Sequence, residues 1–134
     1  MADRRAGMGW MGDGVHCFPI RVYYEDTDAQ GMVYHANYLR FAERARTEML
    51  RLVGAAHQWL IDRHDAGFSV RRLTAAYHSP ARLDELLEVR SEVTATRGAV
   101  LLLSQDILRP PAPTPLVAMT LDLACLNAQG RPRR

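Results

Sequence analysis

The sequence predicts an α+β fold in which an antiparallel β-sheet is covered by one long α-helix. Two patterns predict it. Apolar residues recur at helical spacing after Asn37, and the chain after Gly67 consists of apolar or alternating runs separated by turn residues. Because an antiparallel sheet has one apolar face to bury, the long helix is expected to cover that face.

The chain begins with a stretch that contains many small residues and no continuous apolar core. Residues 1–17 are therefore predicted to be a flexible leader, and residues 18–134 a single domain, which is large enough to bury its own core. The first strand is predicted over Phe18–Glu25, where apolar and aromatic residues dominate.

The helix follows from a single apolar stripe, with arginine and glutamate on most of the remaining surface. Asn37 is expected to cap its first turn with the side-chain oxygen, and Gly54 to mark its end. A second, short helix is expected before Gly67. The stripe consists of Tyr38, Phe41, Ala42, Ala45, Met49 and Leu52.

Four antiparallel strands are expected in the second half of the chain. One hairpin is predicted around Arg97-Gly98, and a stiff proline-rich connector before the last strand. The predicted strands are Phe68–His78, Leu83–Ala95, Ala99–Leu108 and Leu116–Leu126. Within the second of these, alternation predicts a buried face made of Leu83, Leu87, Val89, Val93 and Ala95.

Composition excludes several classes of protein. The apolar fraction is 48% and the charged fraction 24%, which is typical of globular domains. All basic residues are arginine, but the net charge of +2 disfavours a dedicated nucleic-acid binder. No apolar run approaches the roughly 18–20 residues of a membrane span. Cys17 and Cys125 form no CxxC pair, so a reducing, cytoplasmic location is expected.

The segment Tyr24–Tyr38, YEDTDAQGMVYHANY, concentrates the chemistry of the chain. The spacing of its acidic residues is similar to the start of an EF-hand calcium loop. However, Asn37 occupies the position of the bidentate glutamate, and a strand is predicted where an EF-hand has a helix. The histidines lack the spacing of zinc ligands. No metal site is predicted.

Two interpretations of this segment remain open from the residues alone. Acidic side chains before a helix could simply stabilise its N-terminus. Alternatively, Asp28 could attack a carbonyl carbon or activate water, while free amides at the helix start stabilise an oxyanion and His35 moves a proton. The second set of groups is suited to acyl transfer to water. No Gly-x-Ser-x-Gly motif is present, which disfavours a serine hydrolase.

The stretch RVYYEDTDAQGMVYHANYLRFAERARTEML closely resembles the signature of hotdog-fold acyl-CoA thioesterases. It is most similar to the YbgC-type branch, which is associated with the Tol–Pal system and related to 4-hydroxybenzoyl-CoA thioesterase. The resemblance continues through VRRLTAAYHSPARLDELLEV and ACLNAQGRPRR. It implies a hotdog fold, an antiparallel sheet wrapped around one long central helix, assembled as a homodimer or homotetramer.

The resemblance also implies residue roles. Asp28, His35 and Tyr24 match the catalytic positions, while Asp26 resembles a structural one. Coenzyme A would be part of the substrate, and no cofactor or metal is expected. The residues expected to bind acyl-CoA are Gly31, Val33, Tyr34, Asn37, Arg97 and Arg72.

The expected reaction is hydrolysis of an acyl-CoA thioester to a free acid and CoA. The expected site lies at a subunit interface. The alternative is a non-catalytic hotdog protein that binds acyl-CoA or serves as an envelope scaffold. A peripheral link to cell-envelope or lipid-synthesis proteins is a further expectation of the resemblance.

Overall fold

The computed structural model describes residues 7–133, apart from the side chain of His57. These residues form six strands, two α-helices and a 3₁₀ turn at Tyr24–Asp26. No helix among them is long and apolar enough to cross a membrane. The elements are β1 Trp10–Gly12, β2 Val15–Arg21, α1 Asn37–Leu52, α2 His57–His64, β3 Gly67–Tyr77, β4 Leu86–Arg97, β5 Val100–Leu108 and β6 Val117–Leu126.

The strands form one antiparallel sheet in the order β1-β2-β4-β5-β6-β3. The hairpin between β4 and β5 closes with Arg97 opposite Val100, and Gly98 adopts a positive φ of 59° in the turn. β3 follows the helices and pairs with β6, so it forms an edge of the sheet. The predicted α+β architecture is confirmed.

Helix α1 lies against the sheet through the predicted stripe. The stripe residues from Tyr38 to Met49 are buried, and they pack with buried side chains of the sheet such as Leu87 and Met119, whereas Leu52 is only partly buried. Full burial of one large apolar side chain contributes about 1.5–3 kcal/mol. The helix ends as predicted: Gly54 has a φ of +84°, and its N–H donates to the carbonyl of Arg51 at 3.1 Å.

A buried polar network joins α1 to two strands. Gln105 is 0% exposed, and its Nε2 donates to the carbonyl of Ala42 at 3.0 Å and to Oγ of Ser91 at 2.8 Å. Its Oε1 accepts from Nη1 of Arg46 at 2.9 Å. Burial lowers the pKa of the Arg46 guanidinium, and Glu43 opposes that shift. The network fixes the position of the helix on the sheet, because any displacement would leave buried polar groups unpaired.

The beginning of the chain differs from the prediction. The leader was expected over residues 1–17, but residues 10–12 and 15–17 belong to β1 and β2. Residues 1–6 lie outside the described part. The first strand ends at Arg21 rather than Glu25, because a 3₁₀ turn begins at Tyr24.

The predicted buried face of the second strand is right only in its middle. Leu87 and Val89 are buried, but Val93 is 44% exposed and Leu83 precedes the strand on the surface. A register shift between Val93 and Ala95 interrupts the pairing of β4 with β5. This bulge changes the facing of the side chains, which strict alternation does not anticipate.

The short strand β1 depends on a close approach at Gly9. A Cβ atom at this position would lie 2.2 Å from the carbonyl oxygen of Cys17. Beside it, His16 is fully buried, and its Nε2–H donates to the carbonyl of Met8 at 2.7 Å. No partner for Nδ1 of His16 lies within the described residues. The buried ring therefore favours its neutral form.

We expect stability to depend on the protonation of His16. Burial lowers its pKa from 6.5, against the opposing effects of the Met8 carbonyl and Glu48. Because the unfolded chain takes up this proton at higher pH than the folded chain, the stabilisation is complete above pH 6.5 and decreases as the pH falls below it. His16→Gln should weaken this dependence, as measured by urea unfolding at several pH values. An unchanged dependence would contradict the assignment.

Candidate active site

The turn after Thr27 presents the Asp28 carboxylate to solvent. Oδ1 of Asp28 accepts from the backbone N–H of Gln30 at 2.8 Å and of Met32 at 3.3 Å. The N–H of Asp28 donates to the carbonyl of Met32 at 2.8 Å, and Gly31 adopts a φ of +76°. The turn therefore orients the carboxylate through Oδ1. Among residues 7–133, no hydrogen bond involves Oδ2, so this oxygen has no protein partner there.

Asp26, two residues earlier, has a different environment. Its Oδ2 accepts from the N–H of Tyr23 at 2.8 Å, and its Oδ1 accepts from Nδ2 of Asn37 at 3.0 Å. Its backbone carbonyl accepts from the N–H of Tyr34 at 3.0 Å. Asp26 therefore connects the 3₁₀ turn to the start of α1, in agreement with its expected structural role.

Asn37 does not cap the helix, contrary to the prediction. It is the first residue of α1, Ala36 occupies the N-cap position, and no side chain caps the first turn. The amide of Asn37 is buried and directed back to Asp26. The side chain of Asn37 therefore bonds to the carboxylate of Asp26 and not to the backbone of the first helical turn.

Three aromatic rings lie next to the start of α1. The rings of Tyr34 and His35 are 4.5 Å apart between centroids, and those of His35 and Tyr77 are 6.4 Å apart in an edge arrangement. The hydroxyl of Tyr77 donates to the carbonyl of His35 at 3.2 Å. This hydrogen bond joins the last residue of β3 to the backbone at His35, just before α1.

An open cleft of about 510 Å³ unites these groups. It contains the predicted residues Asp28, His35, Val33 and Tyr34. The remaining lining residues were not predicted: Met32, Tyr38, Tyr77, His78, Ser79 and Pro80. The sequence did contain a signal for Tyr77, His78, Ser79 and Pro80. These residues lie at the end of a predicted strand, and binding or catalytic residues often lie in the loops that follow strands.

The other predicted residues lie outside the cleft lining of the described chain. Tyr24 is 83% exposed in the 3₁₀ turn, and Gly31 shapes the turn behind the carboxylate. Arg72 is exposed in the middle of β3, opposite Asp122. Arg97 ends β4, and strand registers place it at the end of the sheet opposite to Tyr77. A single chain thus does not bring the predicted arginines to Asp28.

The backbone at the start of α1 offers hydrogen-bond donors. The N–H of Asn37 donates to the carbonyl of Tyr34 at 2.8 Å, whereas the N–H groups of His35 and Ala36 have no acceptor within residues 7–133. These two groups lie at the positive end of the helix dipole. The region is suited to stabilise negative charge on a carbonyl oxygen.

Tyr38 supports the floor of the cleft. Its buried hydroxyl accepts from the N–H of Ala81 at 2.9 Å. Burial raises the pKa of this hydroxyl, partly opposed by the hydrogen bond from Ala81. Tyr38 therefore remains a neutral group at physiological pH. No cluster of three or more potential metal ligands occurs in the described part of the chain.

The sequence matches the family model described as the thioesterase superfamily over residues 30–114. This match covers more than half of the chain. The chain belongs to the thioesterase superfamily. The sheet wrapped around α1 is the hotdog fold, as the sequence predicts.

Individual relatives support the YbgC-type branch. The chain is 53% identical over 91 residues to the acyl-CoA thioester hydrolase YbgC of Escherichia coli O6:H1, covering 68% of this chain and 67% of that protein. It is 44% identical over 115 residues to the acyl-CoA thioesterase YbgC of Haemophilus influenzae, covering 86% and 83%. A probable thioesterase from Bartonella henselae has a similar structure, with a TM-score of 0.84, 36% identity, and coverage of 90% and 98%.

The two aspartates are expected to differ in their effect on stability. Asp26→Ala leaves the buried amide of Asn37 and the N–H of Tyr23 without an acceptor, which should cost about 1–3 kcal/mol. Asp28→Ala removes an exposed side chain and should cost less than about 1 kcal/mol. Urea unfolding of both variants tests this difference. Equal losses would contradict the structural role of Asp26.

Proposed function

We propose that this thioesterase-superfamily chain hydrolyses an acyl-CoA thioester to a free acid and CoA, with Asp28 as the nucleophile or the general base. One observation carries the proposal: Asp28 and His35 line the same cleft, and His35 lies just before the start of α1, where the N–H groups of His35 and Ala36 have no acceptor within residues 7–133. Membership of the superfamily and the named hydrolases among its relatives support thioester hydrolysis.

The two routes differ in the bond that Asp28 forms. As a nucleophile, Oδ2 of Asp28 bonds to the thioester carbon, the C–S bond breaks, and CoA leaves as a thiolate that takes a proton. Water then cleaves the resulting anhydride and regenerates the carboxylate. As a general base, Asp28 takes a proton from water while the water oxygen bonds to the same carbon. The C–S bond then breaks, the free acid is released, and CoA leaves as a thiolate that takes the proton held by Asp28.

In both routes the carbonyl oxygen acquires negative charge. The N–H groups of His35 and Ala36 are the donors for this oxygen, because they are unpaired within the described residues and lie at the helix N-terminus. The imidazole of His35 lies in the cleft and is able to orient water or transfer a proton. The rings of Tyr34 and Tyr77 form an apolar wall for the acyl group.

Dimerisation would complete this site. β3 is an edge strand of 11 residues, and its N-terminal half lines a groove of about 420 Å³ against α1. The cleft lies at the other end of β3, also on the helix side. Antiparallel pairing of two β3 edges would therefore place the groove of one subunit beside the cleft of the other.

The same two-fold pairing would bring Arg97 of one subunit near the cleft of the other. In one chain it lies at the end of the sheet that carries Ser69, far from Tyr77. In a two-fold pair this end meets the cleft of the partner subunit, where a guanidinium could bind phosphates of CoA. A homodimer or homotetramer therefore fits the predicted role of Arg97. Arg72, in the middle of β3, would lie near the two-fold axis.

Several features of the proposal rest on the sequence alone. These are the catalytic role of Tyr24, the independence of metals and cofactors, the cytoplasmic location, and the association with Tol–Pal, envelope or lipid-synthesis proteins. They stay predictions.

Replacement of the proposed catalytic carboxylate is the direct test. Asp28→Asn keeps the shape of the side chain but removes its charge, so kcat should fall by about 10²–10⁴-fold with acyl-CoA binding retained. Thiol release should be followed with short, long and aromatic acyl-CoAs. Glu25→Gln, at an exposed neighbouring position, is the control and should keep wild-type turnover.

Absence of turnover in the wild-type chain with every acyl-CoA would favour the binding or scaffold alternative. Full activity of Asp28→Asn would contradict the role of Asp28. Transfer of labelled solvent oxygen into Asp28 during a single turnover would identify the nucleophilic route.

We also expect activity to depend on assembly. Specific activity should fall on dilution in parallel with the loss of dimers, measured by sedimentation and thiol release at the same concentrations. A dilute monomer with full activity would contradict the interface site.

A further inference from the structure

Residues Pro80–Glu85, called here the support segment, lie directly behind the Asp28 turn. The N–H of Val33 donates to the carbonyl of Ala81 at 2.9 Å, and the N–H of Leu83 donates to the carbonyl of Gly31 at 3.2 Å. Met32 and Arg82 form an isolated antiparallel bridge. Because the N–H of Asp28 donates to the carbonyl of Met32, displacement of the support segment would displace the carboxylate as well.

Arg109, which directly follows β5, holds both ends of this segment. Its Nη2 donates to the carbonyl of Pro80 at 3.3 Å and to Oε1 of Glu85 at 3.0 Å. Its Nε forms an ion pair with Oε2 of Glu85. Oε1 of Glu85 also accepts from the N–H of Arg82 at 2.6 Å. One guanidinium thus connects the sheet to the first and last residues of the support segment.

We propose that Arg109, acting through Glu85, is a positioning residue that fixes the Asp28 turn for catalysis. The proposal rests on the proposed thioester hydrolysis for its kinetic consequence. Arg109 is absent from the cleft lining and therefore acts through the support segment rather than on the substrate. The guanidinium donates from Nη2 to both Glu85 and the carbonyl of Pro80, while its Nε lies in ion-pair contact with the second carboxylate oxygen, and the single ammonium nitrogen of lysine cannot reproduce this arrangement.

The carboxylate of Glu85 is charged throughout the pH range of an activity assay. Burial raises its pKa, but hydrogen bonds from Arg109 and the N–H of Arg82 outweigh this effect, so the pKa is below its ordinary value. The ion pair is therefore intact at neutral pH. Its removal should lower kcat at every pH of the assay without changing how kcat varies with pH.

A second ion pair on the same sheet provides a matched control. Nε of Arg90 lies 2.6 Å from Oε2 of Glu88, and the arginine side chains of the two pairs are similarly exposed, at 46% for Arg90 and 42% for Arg109. The Arg90 pair joins residues of one strand and, within residues 7–133, makes no hydrogen bond to the support segment. Its removal tests what loss of another partly buried ion pair on the sheet does.

The experiment compares Arg109→Met, Arg109→Lys and Arg90→Met in the full chain. Each variant is examined by thiol release from acyl-CoA and by amide hydrogen exchange at Val33 and Leu83. Arg109→Met should lower kcat about 10-fold or more with a much smaller change in KM, because small misplacement of a reacting group costs up to about 10²-fold. Exchange at both amides should increase. Arg109→Lys should be intermediate, and Arg90→Met should match wild type.

Two results would overturn the proposal: unchanged exchange at Val33 and Leu83 in Arg109→Met, or an equal loss of kcat in Arg109→Met and Arg90→Met. If Arg109→Met does not fold, the comparison of Arg109→Lys with Arg90→Met decides by the same criteria. A wild-type chain without turnover would refute the proposed function alone, since the exchange measurements would still decide whether Arg109 fixes the turn.

Discussion

The carboxylate of Asp26 is the interaction on which the geometry of the cleft depends. It accepts hydrogen bonds from Tyr23 and from Asn37, which lie at the two ends of the segment that carries Asp28. The segment is thereby closed into a loop between β2 and α1. Closure brings the exposed carboxylate and the free amides of the helix start into the same region. Two aspartates separated by one residue thus differ because only Asp26 has a buried partner, Asn37.

Much of the fold was predictable because its signals are local. The stripe from Tyr38 to Met49 identifies both the helix and its buried face, and Gly54 identifies its end. The order of strands was not predictable in this way, since pairing of β3 with β6 joins segments far apart in the sequence. β1 was not predicted, because a strand of three residues is too short to show a periodic pattern. Its position depends on the close approach of Gly9 to the carbonyl oxygen of Cys17.

The candidate site was predictable where one continuous motif supplies it. Asp28, Val33, Tyr34 and His35 line the cleft because they lie within ten residues of each other beside a helix start. The wall from Tyr77 to Pro80 comes from another part of the chain, and its contribution becomes visible only after the sheet has formed. The position of Asn37 was predicted from the helix backbone alone, whereas a long-range hydrogen bond to Asp26 decides it.

The carboxylate of the cleft, Asp28, and much of the cleft wall, residues 77–80, come from different segments of the chain. His78, Ser79 and Pro80 line the cavity, but none of them bonds to the turn that carries the carboxylate. Tyr77 is the exception, because its hydroxyl is joined to the backbone of His35. Under the proposed function, changes at His78 and Ser79 during evolutionary divergence could therefore alter which acyl groups fit while the hydrolytic apparatus stays constant. Pro80 differs from them, because it belongs to the support segment behind the Asp28 turn. The same separation makes His78 and Ser79 suitable positions for directed changes of selectivity.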